Sequence, residues 1–321
     1  MKRNEEDRIG ELALGIAPGA GPVPIREFLS CLMEEGVPLR EFILLSPEKR
    51  RRMIPQASGL HFLMDSLSGA ITSAKKLAQF FSSKNIGWFT SCDDIYPMRL
   101  LRFMGESAPF VFFYRGSLEL LKKDSYLGIV GTREPSPSGI KAANAIAGEM
   151  AEKGIVIVSG GARGVDCAAH QGAMQKGATI FVLPYGIFQY GRLKIFQNDF
   201  HPDNHLILSE FHPEEPGNRS APILRNRTVA ALSDALVIVE TGWRGGTLHT
   251  LRMAREYGKP FLVADYSPER NPNGNASLIS TIGGDLPVYD KIKREGAIFK
   301  ALKKGAVLLE KEPDRQTSLF P

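Results

Sequence analysis

Four short segments carry residue types suited to gripping an anion. The first runs from Gly131-Thr132-Arg133 to Ser138-Gly139. Its glycine permits close backbone approach, its hydroxyls can bond phosphate oxygens, and Arg133 supplies a guanidinium fork. The second, Ser159-Gly160-Gly161-Ala162-Arg163-Gly164-Val165-Asp166, is a glycine-rich turn whose amides can point at a group seated on the next helix. The third is Arg225-Asn226-Arg227, read as opening a short helix. The fourth is Glu240-Thr241-Gly242-Trp243-Arg244-Gly245-Gly246-Thr247, at the start of another. One such loop says little, because a glycine after a strand also serves plain turn geometry. Four loops with five arginines on one edge imply an anion-binding crevice built from Gly131, Thr132, Arg133, Ser138, Gly160, Gly161, Arg163, Arg225, Asn226, Arg227, Arg244 and Thr247.

Other chemistries find less support. The segment Gly128-Ile129-Val130-Gly131-Thr132-Arg133 is not G-x-G-x-x-G, and no G-x-x-x-x-G-K-[ST] occurs, so dinucleotide and P-loop chemistry are not indicated. The acids near the crevice have structural uses: helix capping for Asp166, pairing with arginines for Glu210 and Glu240. His170 lies four residues after Asp166 on the same helix face, a position suited to packing, and no Ser or Cys nucleophile is set beside it. The histidines show no metal-ligand spacing, and Cys31, Cys92 and Cys167 are far apart and odd in number. Neither a metal nor a cofactor is expected.

The elements that must position these loops follow from periodicity. Short apolar runs at Tyr126 to Val130, Ile155 to Val158, Ala178 to Leu183, His205 to Leu208, Ala235 to Val239 and Pro260 to Ala264 alternate with helical stretches. The clearest of these stretches are Gly139 to Lys153, Val165 to Lys176 and Thr247 to Tyr257. Such alternation predicts an α/β fold with a doubly wound, mostly parallel sheet, whose ligand crevice lies beyond the carboxyl ends of the strands. Upstream, Leu, Ile and Phe recur at helical spacing between prolines, which predicts a small helical N-terminal domain over residues 1–85. The sheet domain then spans 86–290, and a lysine-rich, weakly patterned tail spans 291–321. Within the helical domain the run Lys49-Arg50-Arg51-Arg52 reads as a solvated helix face.

At 321 residues, with 43% hydrophobic and 23% charged residues, the chain has globular composition and enough length for a large core. The formal net charge of +5 leans toward a polyanionic partner. The N-terminus lacks the apolar core of a signal peptide, and no run of about 18 apolar residues could span a bilayer. A cytoplasmic protein with no membrane contact is expected.

The order of the motifs resembles the DprA/Smf family of DNA-processing proteins, from roughly Asp94 to Gly284. Besides the loops above, the resemblance rests on Tyr96-Pro97, Ala108-Pro109, Tyr114-Arg115-Gly116, Ala169-His170, Leu208-Ser209-Glu210 and Gly274-Asn275 with Leu278-Ile279 and Gly283-Gly284. It implies a Rossmann-like domain that binds single-stranded DNA without catalysis, forms a homodimer and helps load RecA recombinase. By motif match the phosphate-holding residues would be Arg133, Ser138, Gly160, Arg163, Asn226 and Arg227. Three features depart from the family pattern: Tyr190-Gly191-Arg192-Leu193 where Tyr-Pro is usual, Arg244-Gly245-Gly246-Thr247-Leu248 at a helix start with Asp265-Tyr266 after the last strand, and only 37 residues after Gly284 where many members carry a winged helix. The second departure resembles the wider nucleotide-binding group that includes the LOG enzymes. The competing expectation is therefore an enzyme or sensor for a free nucleotide, in which Asp166 and Glu240 would matter chemically.

Two further expectations concern single segments. Trp243 is a candidate for stacking bases. At the C-terminus, Gln316-Thr317-Ser318-Leu319-Phe320 resembles the Q-x-x-L-F peptide by which bacterial replication and repair proteins dock onto the DNA polymerase sliding clamp. Leu319 and Phe320 would be the apolar anchors and Gln316 the orienting group.

Overall fold

The computed structural model describes residues 4–54, 59–193, 200–242, 245–265, 273–282, 285–287 and 291–310. Trp243, Arg244, Gln316, Leu319 and Phe320 lie outside the described residues. The chain forms two units, one from residues 1–96 and 105–114, the other from 97–104 and 115–321.

Among the described residues the first unit holds five α-helices and a strand pair. Helix α1 (Glu5–Ile16) starts at Asn4, whose side chain accepts from the Glu6 amide at 3.4 Å, and Glu5, Glu6 and Asp7 in its first turn suit the positive end of the helix. Helix α2 (Pro22–Glu34) has proline in its first turn, where no donor is lost. Short helices α3 (Leu39–Phe42) and α4 (Pro47–Met53) lead to α5 (His61–Lys84), which stops at Asn85 in the left-handed conformation, φ 54°. Strands β1 (Gly87–Thr90) and β2 (Val111–Gly116) pair antiparallel.

The sequence places the domain boundary before β1, but β1 packs with the helices. Phe81 of α5 meets Trp88 and Phe113 with ring centroids 5.8 and 5.7 Å apart, and Phe89 stacks on Phe112 at 5.4 Å. These aromatic contacts, not the change from helix to strand, decide where the unit ends. The basic run also differs from expectation. Arg50 is 2% exposed. It donates to the carbonyls of Phe42 (3.2 Å), Ile43 (2.5 Å) and Met64 (3.3 Å) and to Ser68 Oγ (3.1 Å). A buried guanidinium thus ties the end of α3 to α5.

The second unit is an α/β layer structure. Its parallel strands are β3 (Tyr126–Val130), β4 (Val156–Ser159), β5 (Thr179–Leu183), β6 (His205–Ser209), β7 (Ala235–Ile238), β8 (Phe261–Asp265) and β9 (Asp285–Pro287), in the spatial order β6-β5-β4-β3-β7-β8-β9. Strands β3 to β7 are buried on both faces, so they read as continuous apolar runs. Winding proceeds one way from β3 through β6 and the other way from β7 through β9. The crossover therefore falls beside β3, between β4 and β7, the position where such sheets open a crevice.

Helices α7 (Pro137–Glu152), α8 (Val165–Lys176), α9 (Ala221–Leu232), α10 (Gly246–Glu256), α11 (Asn273–Ile282) and α12 (Lys291–Glu310) cover the sheet, and α6 (Met98–Met104) belongs to the same unit. Helices α7 and α8 lie so close that a Cβ at Gly172 would come 2.0 Å from the Asn144 carbonyl oxygen. The expected tail over 291–321 is corrected for Lys291–Glu310. Ile298, Ala301 and Leu302 join the same buried cluster as Ala235 and Val237, and Arg294 donates to both oxygens of Glu149 at 2.6 and 2.7 Å. Three apolar positions at helical spacing suffice to dock a helix otherwise dense in lysine.

At the amino ends of the strands a buried charge cluster closes the layer. Asp234 accepts from the Tyr126 amide at 2.8 Å and from Arg99 Nη1 at 2.9 Å. Lys259 Nζ donates to the Ser233 carbonyl at 2.6 Å and sits 3.6 Å from the Phe103 ring centroid. Burial lowers the Lys259 pKa to about 7 against the opposing pull of Asp234. Burial likewise raises that of Tyr126 to about 12. Among the described residues no helix is long and apolar enough to cross a membrane.

Candidate functional site

The carboxyl ends of β3, β4 and β7 open into a cavity of about 540 Å³ lined by the predicted loops. Its wall is built on glycines that other residues could not replace. A Cβ at Gly131 would lie 2.5 Å from Val165 Cγ2, and one at Gly164, φ 89°, would lie 2.5 Å from the Thr132 carbonyl oxygen. The Thr132 amide donates to the Glu240 carbonyl at 2.7 Å and the Val165 amide to the Thr132 carbonyl at 3.2 Å. The loop after β3 is thereby fixed to the ends of β4 and β7.

Glu240 holds that loop from the other side. Its carboxylate accepts from the Ser136 amide (2.8 Å) and the Ser136 hydroxyl, while Ser136 Oγ accepts from the Gly139 amide (3.0 Å) and so caps α7. Among the described residues no arginine pairs with Glu240, where the sequence leads one to expect such a pair. Glu210 accepts from the Thr228 hydroxyl at 2.8 Å and lies 3.8 Å from Arg227.

The floor is Arg225, whose side chain is 4% exposed. Its Nη1 stands 3.7 Å from Asp166 Oδ2, and its Nε is buried with no hydrogen-bond partner among the described residues. Burial lowers the Arg225 pKa while Asp166 opposes that shift, and burial raises the Asp166 pKa while Arg225 and the Ala162 amide, at 3.3 Å, oppose it. Beneath them His170 is fully buried, with its ring stacked on Phe181 at 3.4 Å. Its Nδ1 lies 2.8 Å from Thr179 Oγ1, whose proton goes to the Ile157 carbonyl, so Nδ1 is the donor. Burial first, and then the Arg225 cation, push the His170 pKa far down, which leaves a neutral ring supporting a cation.

The mouth is cationic. Arg133, Arg163 and Arg219 are exposed there, and Arg163 crosses to Glu134 at 2.5 Å with both side chains open to solvent. Gly131, Thr132, Arg133, Arg163, Arg225, Asn226 and Thr247 all line the cavity. Asn226 donates to the Gly246 carbonyl at 3.1 Å and so ties α9 to the start of α10.

Other expected members stand elsewhere. Gly160, Gly161 and Ser138 are not part of the lining. Gly160 lies under Arg225, where a Cβ would come 1.0 Å from Nη1. Arg227 is turned away, donating to the Leu224 carbonyl at 3.2 Å and facing Glu210. The reason is local: residues 225–227 do not open a helix but lie in the middle of α9, where neighbours diverge by about 100°. Sequence reading also missed Arg219, Pro222, Ile223 and His249, which line the cavity. A signal existed in Asn218, whose Oδ1 accepts from the amides of Ser220 and Ala221, each at 2.9 Å, and so marks the true start of α9. Asn275 works behind the site. It donates to the Val239 and Ala264 carbonyls (2.8 and 2.9 Å) and accepts from the Thr241 amide (2.9 Å), which joins the ends of β7 and β8.

Such a crevice offers two helix starts, three exposed guanidinium groups and one buried one to a phosphate-bearing chain. DNA processing protein DprA of Streptococcus pneumoniae is 36% identical over 173 residues, covering 53% of this chain and 60% of that protein. DprA of Bacillus subtilis is 37% identical over 154 residues, covering 47% and 52%. The chain thus spans between half and two thirds of the length of these two relatives. Among solved structures, the X-ray structure of S. pneumoniae DprA matches with a TM-score of 0.69 and 25% identity over 94% of this chain and 99% of that one. DprA of Helicobacter pylori, described for its "unique single-stranded DNA binding mode", matches with a TM-score of 0.55 and 27% identity over 67% and 96%. A family model described as DNA recombination-mediator protein A matches residues 87–286, more than half of the chain, and the chain belongs to that family.

Proposed function

We propose that the crevice binds single-stranded DNA with little sequence preference, as a step in DNA processing during recombination or transformation. The observation that carries this reading is Arg225, a buried guanidinium with an unsatisfied Nε at the floor of a cavity whose mouth holds Arg133, Arg163 and Arg219. Exposed arginines grip successive phosphates, Thr132 and Thr247 add hydroxyl donors, and no base-specific group is required. The H. pylori relative, described by its single-stranded DNA binding mode, supports the same ligand.

The protein carries out no covalent step in this reading. Asp166 is occupied by Arg225 and the Ala162 amide, and Glu240 by Ser136, so the two acids a nucleotide hydrolase would use serve structure. The partners follow the motif resemblance. The bound strand is passed to RecA recombinase, the protein acts in the cytoplasm as a homodimer, and Gln316, Leu319 and Phe320 dock onto the sliding clamp. A pull-down of clamp with the full chain and with a chain lacking residues 316–321 tests the last point, and equal capture rejects it.

The central test is a titration with fluorescent oligothymidylate at several salt concentrations, repeated with a mononucleotide competitor. Binding that weakens steeply with salt and resists the competitor is expected. Saturation by one mononucleotide, or turnover of it, overturns the reading.

A further inference from the structure

The loop after β5 stands beside the crevice without lining it. Strand β5 pairs with β4, so Pro184 and Tyr185 leave the sheet at the same edge as the glycine-rich turn over 160–164. The far end of the loop abuts that turn, since a Cβ at Gly161 would come 3.2 Å from Leu193 Cδ2. Backbone groups pin it in place. The Gly186 amide donates to the Glu215 carbonyl at 2.8 Å, the Phe188 amide to the Pro213 carbonyl at 3.1 Å, and Ser209 Oγ to the Tyr185 carbonyl at 2.7 Å.

None of these bonds uses the Tyr185 side chain, whose hydroxyl has no hydrogen-bond partner among the described residues. The ring is half-buried. Exposed Arg192 lies over it, with the guanidinium carbon 5.6 Å from the ring centroid and Nη1 donating to the Pro216 carbonyl at 2.8 Å. Burial raises the Tyr185 pKa, and Arg192 and then Arg225 oppose that shift, which puts the ring within electrostatic reach of the cation at the crevice floor.

We propose that Tyr185 is the platform on which a base of the bound strand stacks, beside the phosphate held above Arg225. This rests on the crevice reading and adds to it a subsite that guanidinium groups gripping phosphates do not supply. Every base has a π-face, so an aromatic ring carrying a cation on it accepts any of them and imposes little sequence preference. The bland role for the ring, fixing its own loop, is already filled by the backbone bonds. A stacked base also releases no counterion, so its share of the affinity is indifferent to salt, unlike the share of the arginines.

The test measures binding of the full chain to fluorescent oligothymidylate and to a strand of equal length whose residues are abasic, by anisotropy at several salt concentrations. The parent is expected to prefer the base-bearing strand at least tenfold. In Y185L that preference should shrink to less than twofold, by a loss of oligothymidylate affinity that is the same at every salt concentration, while Y185F and Y185W keep it. A second measurement needs no variant: a strand carrying 5-iododeoxyuridine, irradiated on the parent protein, should leave its adduct on Tyr185 in peptide mapping. The proposal falls if the parent binds both strands equally, if Y185L retains the preference or Y185F loses it, or if the adduct forms only elsewhere. Each of these leaves the salt-dependent crevice standing, whereas failure of the parent to bind either strand rejects the crevice reading and this subsite together.

Discussion

Gly160 and Arg225 occupy one space: the Cβ that any other residue would add at position 160 falls 1.0 Å from the guanidinium Nη1. The glycine after β4 therefore leaves room for the cation at the crevice floor and need not touch a ligand itself. Gly160→Ala should expel Arg225 from its place beside Asp166, destabilise the protein by roughly 3 kcal/mol and reduce oligothymidylate affinity at least tenfold. Denaturant unfolding and anisotropy check the two effects. An alanine variant with parental stability and affinity would mean that Arg225 has another place to go.

Arg133 and Arg163 stand exposed at the mouth, so on the proposed reading their loss would touch binding alone. Each alanine substitution should weaken single-stranded DNA binding by about 1–3 kcal/mol with thermal stability unchanged. Arg227→Ala should leave affinity within twofold, since Arg227 faces Glu210 outside the cavity. Loss of binding in Arg227→Ala alone would move the DNA path to the other side of α9.

The charge cluster at the amino ends of the strands gives stability a pH dependence with a definite sign. Lys259 has its pKa lowered to about 7, so between that value and its ordinary 10.5 the unfolded chain holds more protons than the folded one, and stability rises with pH. Tyr126 behaves in the opposite way. Its pKa is raised from 10.0 to about 12, so above pH 10 the unfolded chain loses a proton that the folded chain keeps, and stability falls. Urea unfolding at pH 7, 8, 9 and 11 should trace a rise and then a decline, and Lys259→Met should flatten the rise.

Arg50 supports the helical unit through four acceptors without touching the crevice. Arg50→Met removes four donated bonds from the interior, including the one to the Ile43 carbonyl, and should cost that unit about 3 kcal/mol. Protease digestion should then cut first within residues 1–85 while oligothymidylate affinity persists. Uniform loss of both would show the units to be interdependent.

Glu240→Gln retains size but weakens the grip on Ser136, so the loop after β3 should loosen at a cost of about 1–2 kcal/mol. Hydrogen exchange at the amides of residues 132–139 should quicken. A nucleotide-hydrolysing activity in the parent that vanishes in this variant would instead assign Glu240 to chemistry.

Strands β3 to β7 were legible because burial on both faces writes them as apolar runs, whereas the three-residue β9 (Asp285–Pro287) was not expected. The crevice followed from topology, since loops after successive parallel strands must share an edge. What escaped was direction on a helix. Arg225, Asn226 and Arg227 are adjacent in sequence, yet one forms the floor, one ties α9 to α10 and one faces away, and nothing in the triplet says how far inside the helix it lies. The helical part of the lysine-rich end escaped for a different reason, because only three inward positions carry its packing. Arg50 was unreadable in a run of four cations, for its burial depends on carbonyls that only the folded chain brings together.

The Arg163–Glu134 bridge over the mouth has a consequence for release. A strand entering the crevice does not meet a naked guanidinium; each phosphate at that position displaces a carboxylate waiting less than a residue's length away. Departure is correspondingly assisted, because Glu134 can recapture Arg163 as soon as a phosphate loosens. On the proposed reading, a strand at this mouth would be held by contacts that are exchanged singly.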